Sequence, residues 1–192
     1  MITIVSGLPR SGTSLIMQML KQGGMELLAD NVRKADESNP RGYFEYEKVK
    51  ALQRDSSWLA EAEGKAVKVI AQLLKFLPAC FDYKVIFIER DIQEILRSQK
   101  KMLEEMGQSI SSNQDIIKKV FEKQVEEIMR WLSSQNNISV LYIKHREVLY
   151  HPYTTAEEIN SFLNQSFKID LMVQIVDMSL YRQRADELFS KN

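Results

Sequence analysis

Residues 7–14, which read GLPRSGTS, constrain the fold more than any other stretch of the chain. The β-branched run 2–5 before them predicts a buried strand, and the largely apolar run 15–20 after them predicts a helix that ends at residues 23–24. A strand, a glycine-bearing turn and a helix form a phosphate-binding loop, because backbone N–H groups converge there and the helix N-terminus adds partial positive charge. The alternative interpretation is an ordinary strand–turn–helix with glycines at tight turns.

The loop departs from the nucleotide-triphosphatase pattern G-x-x-x-x-G-K-[ST] at one position. Gly7 and Gly12 have the required spacing and Ser14 matches, but Thr13 stands where the lysine belongs. A kinase or ATPase uses that lysine with a metal to hold the β- and γ-phosphates. Here the cation of the loop is Arg10, whose planar guanidinium can bind a phosphate oxygen and implies no metal ligand.

Length and composition predict one domain, 1–192, with a hydrophobic content of 44% that suffices for a core. The net charge of zero gives no electrostatic argument for nucleic acid or a membrane as a partner. The single cysteine, Cys80, rules out an internal disulfide and argues against a zinc site. The sequence shows neither a charged leader nor an apolar run of about 18 residues, so we expect a cytoplasmic protein that spans no membrane.

Strands and helices alternate along the chain, which predicts an α/β protein with a three-layer P-loop fold. We expect a central parallel sheet of about four or five strands flanked by helices. Further strands are predicted at 66–70, 84–88 and 138–143, with a short one at 25–28. Helices are predicted at 47–62, 71–77, 91–106, 113–134, 153–164, 170–176 and 179–189, and a polar surface loop at 107–112.

A second candidate anion site follows the strand 84–88. Arg90 stands at the carboxyl end of that strand, on the edge of the sheet that also carries the phosphate loop, and Asp91 is a candidate N-cap for the next helix. Ser98 lies eight residues after Arg90 and beside the apolar stripe of that helix. A guanidinium and a hydroxyl in this arrangement can bind a second phosphate. The alternative is an ordinary salt-bridge arginine and a tolerated helical serine.

The loop and this pair together resemble the sulfotransferase family, in particular a short bacterial-type member. The family loop P-[KR]-S-G-T-[TS] matches residues 9–14, and Arg90 and Ser98 match the family's strand-end arginine and its serine eight positions on. The resemblance implies that residues 10–15 hold a 5′-phosphosulfate and that Arg90 and Ser98 hold a 3′-phosphate. The nucleotide-binding residues it implies are Pro9, Arg10, Ser11, Gly12, Thr13, Ser14, Leu15, Arg90 and Ser98.

By the same resemblance, the chain is expected to be an enzyme that moves a sulfuryl group from 3′-phosphoadenosine 5′-phosphosulfate to a hydroxyl or amine. The acceptor would be a small molecule or a glycan, and no metal is required. The chain departs from the family in its short length and in lacking the C-terminal arginine-lysine-glycine clamp on the 3′-phosphate. Arg182 and Arg184 belong to the only basic cluster in that region and are candidates to replace the clamp.

Catalysis of sulfuryl transfer requires cations around the sulfuryl oxygens and a base for the acceptor proton. Arg10 with the loop amides is the first candidate for charge stabilisation. Lys68 is an unexpected charge in an apolar strand: it either contacts the sulfuryl group or is an edge-strand lysine that deters aggregation.

For the base we favour Glu45, which follows the turn at Gly42 and is flanked by Tyr43 and Tyr46, two rings that would desolvate its carboxylate. It belongs to the irregular segment 36–45, which is expected near the ligand crevice. Asp30 and Glu37 are rival bases, and His145 and His151 are interpreted as structural. Tyr43, Phe44 and Trp58 are either acceptor-pocket or core residues.

Two other functions are compatible with the sequence. The first is a nucleotide or small-molecule kinase, against which the missing loop lysine stands. The second is a non-catalytic nucleotide-binding module that has lost its acceptor site. The oligomeric state is not predicted.

Overall fold

The fold is built on a parallel sheet of four strands. The structure is a computed structural model that describes residues 1–30, 32–36, 39–105, 107 and 114–180. The strands are β1 (Ile2–Gly7), β2 (Ala66–Lys68), β3 (Tyr83–Glu89) and β4 (Ile138–Lys144), in the spatial order β2-β1-β3-β4. Gly7 pairs with Ile88, and Ile88 pairs with Ile143. The register therefore brings the carboxyl ends of three strands to one edge of the sheet.

Six α-helices surround this sheet in the described ranges. They are α1 (Thr13–Gly23), α2 (Ile92–Glu105), α3 (Gln114–Ser133), α4 (His145–Tyr150), α5 (Pro152–Leu163) and α6 (Ile169–Gln174). Short 3₁₀ helices occupy Glu47–Ala51, Ser57–Ala62, Ala71–Phe76 and Met178–Leu180. Within the described ranges we find no helix that combines the length and the hydrophobicity of a membrane span.

The two faces of the sheet support two separate hydrophobic cores. Along β1, Ile4 packs into one core and Val5 into the other, because successive side chains of a strand point to opposite faces. The first core includes Trp58, from the 3₁₀ helix Ser57–Ala62, and Leu132, from α3. The second core includes the buried face of α1 together with residues of α5 and α6. Helices thus cover both faces, which confirms the predicted three-layer α/β architecture with a parallel sheet.

Several predicted elements differ from the observed ones. Segment 25–28 forms no strand and is joined to the sheet by a single bridge, from Leu27 to Ala66 of the three-residue β2. The helix predicted over 47–62 divides into two 3₁₀ helices where the Asp55 carboxylate accepts a hydrogen bond from the Ser57 backbone N–H at 2.9 Å, which favours a turn. The helix predicted at 71–77 is also 3₁₀.

One helix was not predicted: α4 is six residues long and begins directly after β4, so no turn residue in the sequence separates it from the strand. Of the C-terminal helix predicted at 179–189, only residues 179–180 are described, and they belong to the 3₁₀ helix Met178–Leu180. The rest of that segment, and residues 108–112 of the predicted surface loop, lie outside the described residues.

Candidate functional site

A cleft of about 460 Å³ opens at the carboxyl edge of the sheet. This is where ligands bind in open parallel sheets, because the connections that leave neighbouring strands to opposite faces create a crevice there. The loop after β1 forms its floor, α2 supplies one wall, and the segment 39–50 with the end of β2 supplies the other. The edge that the sequence predicted to carry the ligand therefore carries a cavity of suitable size for a nucleotide.

The phosphate loop has the backbone geometry of an anion site. Gly12 adopts a left-handed φ of 103° and is the N-cap of α1, and no side chain in the described part of the chain caps that helix. The first turn of α1 also contains no acidic residue, so its amides and the helix dipole favour an anion. A side chain at Gly12 would lie 2.4 Å from Cδ2 of His145, so glycine is needed there for space as well as for φ.

Arg10 is held at the centre of the site by residues from two other elements. Its backbone φ of 70° is left-handed, which costs about 1 kcal/mol for a residue other than glycine. Its Nε donates to Oγ of Ser98 at 3.0 Å, and its carbonyl accepts a hydrogen bond from Nη1 of Arg90 at 2.9 Å. The two groups predicted as a second anion site are therefore in direct contact with the first.

Lys68 enters the cleft from the last position of β2. Its side chain is only 7% exposed and donates to the backbone carbonyl of Tyr43 and, at 3.3 Å, to Oγ of Ser14. Burial lowers the pKa of this ammonium to about 8, although Glu45 at 3.5 Å opposes the shift. Although β2 is an edge strand, the Lys68 ammonium lies in the cleft and not on the exposed edge, which favours the first of the two alternatives, a contact with the ligand.

Glu45 lines the cleft beside two cations. Its carboxylate is 3.1 Å from Nη1 of Arg33 and 3.5 Å from Nζ of Lys68. The expected desolvation by the two flanking tyrosines is not what the structure shows, since the Glu45 side chain is 28% exposed. Instead, the ring of Tyr43 lies under the Arg33 guanidinium at 3.5 Å, and the hydroxyl of Tyr46 faces Glu61.

Tyr43 is the organising residue of the segment that covers the loop. Its hydroxyl is 2.8 Å from both carboxylate oxygens of Asp36, and burial, with this hydrogen bond, raises its pKa. Nearby, the Asn39 amide donates to Oγ of Ser14 at 3.0 Å. Arg41 reaches across the mouth of the cleft, where it donates to the Ile175 carbonyl and forms a 3.0 Å ion pair with Asp177. The described residues of segment 36–45, Asp36 and 39–45, thus lie at the crevice, as expected.

The other candidates are distributed as follows. Six of the seven loop residues line the cleft, namely Pro9, Arg10, Gly12, Thr13, Ser14 and Leu15. Ser11 does not, because its hydroxyl is buried behind the loop against Gly7. Trp58 is a core residue in edge contact with Tyr46, and Phe44 packs with the second core. Glu37, Arg182 and Arg184 lie outside the described residues.

Asp30 does not serve the cleft. Its carboxylate accepts backbone N–H groups of Val32 at 3.0 Å and of Glu47 at 2.6 Å, which fixes the local turn. His145 is buried under the phosphate loop, where burial and the nearby Arg90 charge lower its pKa to about 3. It is a neutral packing residue at physiological pH, and His151 is an exposed residue 4.0 Å from Glu147.

Two residues of the site were missed in the sequence. Arg33 carries no local signal, since its contacts with Tyr43 and Glu45 depend on how the irregular segment folds back. Glu94 did carry a local signal, because it stands four positions after Arg90, the spacing at which an acidic and a basic side chain meet on a helix. In the structure, Oε2 of Glu94 lies 3.0 Å from Nε of Arg90.

Solved structures with the same fold are found among sulfotransferases. Mouse sulfotransferase SULT7A1, complexed with PAP, superposes with a TM-score of 0.57 and 15% identity over 96% of this chain, which spans only 66% of the mouse protein. The sulfotransferase domain from the curacin biosynthetic pathway superposes with a TM-score of 0.53 and 14% identity, covering 88% of this chain and 76% of that domain. No protein-family model and no curated protein sequence matches the chain. The resemblance predicted from the loop, Arg90 and Ser98 is confirmed at the level of the fold: the chain has the P-loop α/β fold of the sulfotransferases.

Proposed function

We propose that the chain is a sulfotransferase that uses 3′-phosphoadenosine 5′-phosphosulfate as its donor. One observation carries this proposal: the uncapped N-terminus of α1 and the Arg90–Ser98 pair meet in one cleft, with Arg10 bridging them at 3.0 Å from Ser98. A donor with phosphate groups at both ends of its ribose needs two anion-binding elements on one nucleoside site. The structural neighbour from mouse, which was solved with PAP, supports the same donor class.

The donor end of the reaction would depend on the loop and its cations. The loop amides, Arg10 and Lys68 would bind the sulfuryl oxygens and the bridging phosphate oxygen, where negative charge grows as the S–O bond breaks. Lys68 is suited to this position because its pKa of about 8 keeps it mostly protonated at neutral pH inside a largely buried site. Arg90 and Ser98 would hold the 3′-phosphate. The leaving group is adenosine 3′,5′-bisphosphate.

The acceptor end would use Glu45. The acceptor oxygen or nitrogen attacks sulfur in line with the leaving phosphate oxygen, and its proton passes to the carboxylate. Arg33 and Lys68 hold that carboxylate at the boundary between the loop and the far wall of the cleft. Glu45 is therefore the proposed base on grounds of position.

The far wall of the cleft is apolar. Val49, Ile70 and Leu73 line it, Met102 of α2 lines the opposite wall, and the Ile70 side chain is 43% exposed. Such a wall favours an acceptor that places an apolar surface next to its hydroxyl or amine. Of the two acceptor classes that we expected, we therefore propose the small molecule, with an apolar surface, rather than the glycan.

Titration calorimetry with three nucleotides tests the proposal. Adenosine 3′,5′-bisphosphate is expected to bind at least about tenfold more tightly than adenosine 5′-monophosphate, since a charge-assisted phosphate contact contributes well over 1 kcal/mol. ATP with Mg²⁺ should bind weakly, and turnover of the phosphosulfate donor should rise with apolar alcohols or amines. Preferential binding of ATP with Mg²⁺ would indicate a kinase, and tight bisphosphate binding with no transfer to any acceptor would indicate a binding module.

A further inference from the structure

We propose that Glu94 is a positioning residue that fixes Arg90 against the phosphate loop, so that the two anion-binding elements act as one unit. This inference rests on the proposed function, because it assigns Arg90 to the 3′-phosphate. It goes beyond that function in placing the control of donor binding on a buried carboxylate that does not line the cleft.

Burial and hydrogen bonding distinguish Glu94 from the other acids of its helix. Its side chain is 1% exposed, and its Oε2 accepts from Nε of Arg90 at 3.0 Å, while the Arg90 side chain is 10% exposed. The cap of α2 is provided by a different acid: Oδ1 of Asp91 accepts the backbone N–H groups of Gln93 at 2.8 Å and of Glu94 at 3.1 Å. Glu94 is therefore not needed as a helix cap, and its carboxylate faces the guanidinium.

The pair belongs to a closed chain of contacts between α2 and the loop. From Arg90, Nη1 donates to the carbonyl of Arg10 at 2.9 Å, and from Arg10, Nε donates to Ser98 at 3.0 Å. Ser98 and Glu94 are one helical turn apart, so both lie on the buried face of α2. The loop is thus tied at two points, to Ser98 on the buried face of α2 and to Arg90 just before that helix, and Glu94 determines the orientation of Arg90.

The charge environment gives this contact its strength. A buried, hydrogen-bonded ion pair is costly to break, because removing one partner leaves a desolvated charge, whereas an exposed pair contributes little. The same helix offers a matched exposed pair: Lys100 and Glu104 have the same spacing, but their charged atoms are 3.8 Å apart and their side chains are 50% and 58% exposed. Glu104 does not line the cleft, so Glu104→Gln is the control.

The experiment measures the affinity ratio between adenosine 3′,5′-bisphosphate and adenosine 5′-monophosphate by calorimetry. In Glu94→Gln the ratio should fall about tenfold, since the amide removes the negative charge that pairs with the buried guanidinium. Glu94→Asp keeps the charge but withdraws it from Nε, and should also lower the ratio if the amide variant does not fold. Glu104→Gln should keep the wild-type ratio. In an Arg90→Gln background, Glu94→Gln should have no further effect, because it acts through Arg90.

The outcomes separate this inference from the proposed function. If the wild-type protein binds both nucleotides equally, the assigned donor is wrong. If the wild-type protein discriminates and both Glu94 variants discriminate equally well, the donor stands and the positioning role of Glu94 is wrong. Losses that add fully in the Arg90→Gln background would also overturn the role, since they would show that Glu94 acts independently.

Discussion

Nε of Arg10 lies 3.0 Å from Oγ of Ser98, although the two residues stand 88 positions apart in the chain. The contact exists because β1, which ends in the loop of Arg10, pairs directly with β3, which leads into the helix of Ser98. Two elements that the sequence presented as separate anion sites are consequently one surface. Each of the following predictions concerns a residue that lines this cleft.

Gly12→Ala should destabilise the protein more than Gly24→Ala, although the two glycines have similar backbone conformations. Gly12 and Gly24 have φ values of 103° and 107°, but an added Cβ meets His145 at 2.4 Å in the first case and nothing within 4 Å in the second. We expect Gly24→Ala to cost about 1 kcal/mol and Gly12→Ala about 3 kcal/mol, since overpacking adds to the backbone strain. Urea unfolding measures both, and equal losses would contradict the packing argument.

His145→Gln should change how stability depends on acid pH. The folded-state pKa of His145 is about 3, against 6.5 for the exposed imidazole, so between these values the unfolded chain binds a proton that the folded chain does not. The free energy of unfolding therefore falls as pH drops from about 6.5 towards 3, by several kcal/mol at about 1.4 kcal/mol per pKa unit. The variant should lose this component. The exposed His151→Gln serves as the control and should retain the wild-type profile.

Lys68→Met should change how the free energy of unfolding depends on alkaline pH. Burial lowers the folded-state pKa of Lys68 to about 8 from 10.5, so the unfolded chain holds the proton over this interval and the folded chain releases it. The free energy of unfolding therefore gains about 2–3 kcal/mol as pH rises from 8 to 10.5, and Lys68→Met should remove that gain. The difference between the two stability curves is the measurement, with Lys123→Met, on the exposed face of α3, as the comparison. A difference curve without slope would mean that Lys68 is not desolvated.

Glu45→Gln should affect transfer and not donor binding. A positioned base contributes about 10²–10⁴-fold to a proton transfer, so kcat should fall by at least about 100-fold while the affinity for adenosine 3′,5′-bisphosphate stays within about twofold. Glu47→Gln is the control, because Glu47 is an exposed carboxylate that pairs with Lys50 at 2.8 Å. Unchanged transfer in Glu45→Gln would remove this residue from the mechanism.

Local patterns were sufficient for the regular part of the fold. Buried parallel strands have a continuous apolar sequence, so all four strands were predicted within two residues of their observed bounds. The loop was predicted from its glycine spacing together with the strand before it and the helix after it. The short elements were predicted poorly, for the opposite reason. The helix α4 follows β4 with no turn residue between them, the 3₁₀ turns contain too few residues to show a period, and segment 25–28 depends on a partner strand that only the fold supplies.

In the candidate site, too, local patterns marked some residues, but the contacts between them depend on the fold. Lys68 was noticed because a charge interrupts an apolar run, but its partners could not be found, since its contacts with Ser14 and Glu45 span 54 and 23 positions. The predicted shielding of Glu45 by neighbouring tyrosines was wrong, because adjacency in an irregular segment does not fix which side chains face each other. The Arg33 guanidinium lies beside the Glu45 carboxylate and over the Tyr43 ring.

The sequence by itself determined the chemistry of the site: a loop with two glycines and one guanidinium, a strand-end arginine, and a hydroxyl eight residues later. These follow from local spacing, which covalent geometry converts directly into backbone shape. Only the tertiary structure decided that Arg10 joins the two anion sites and that Glu94 faces Arg90 in the buried wall. Such relationships depend on strand order and helix packing, because these bring together side chains that the chain itself keeps far apart.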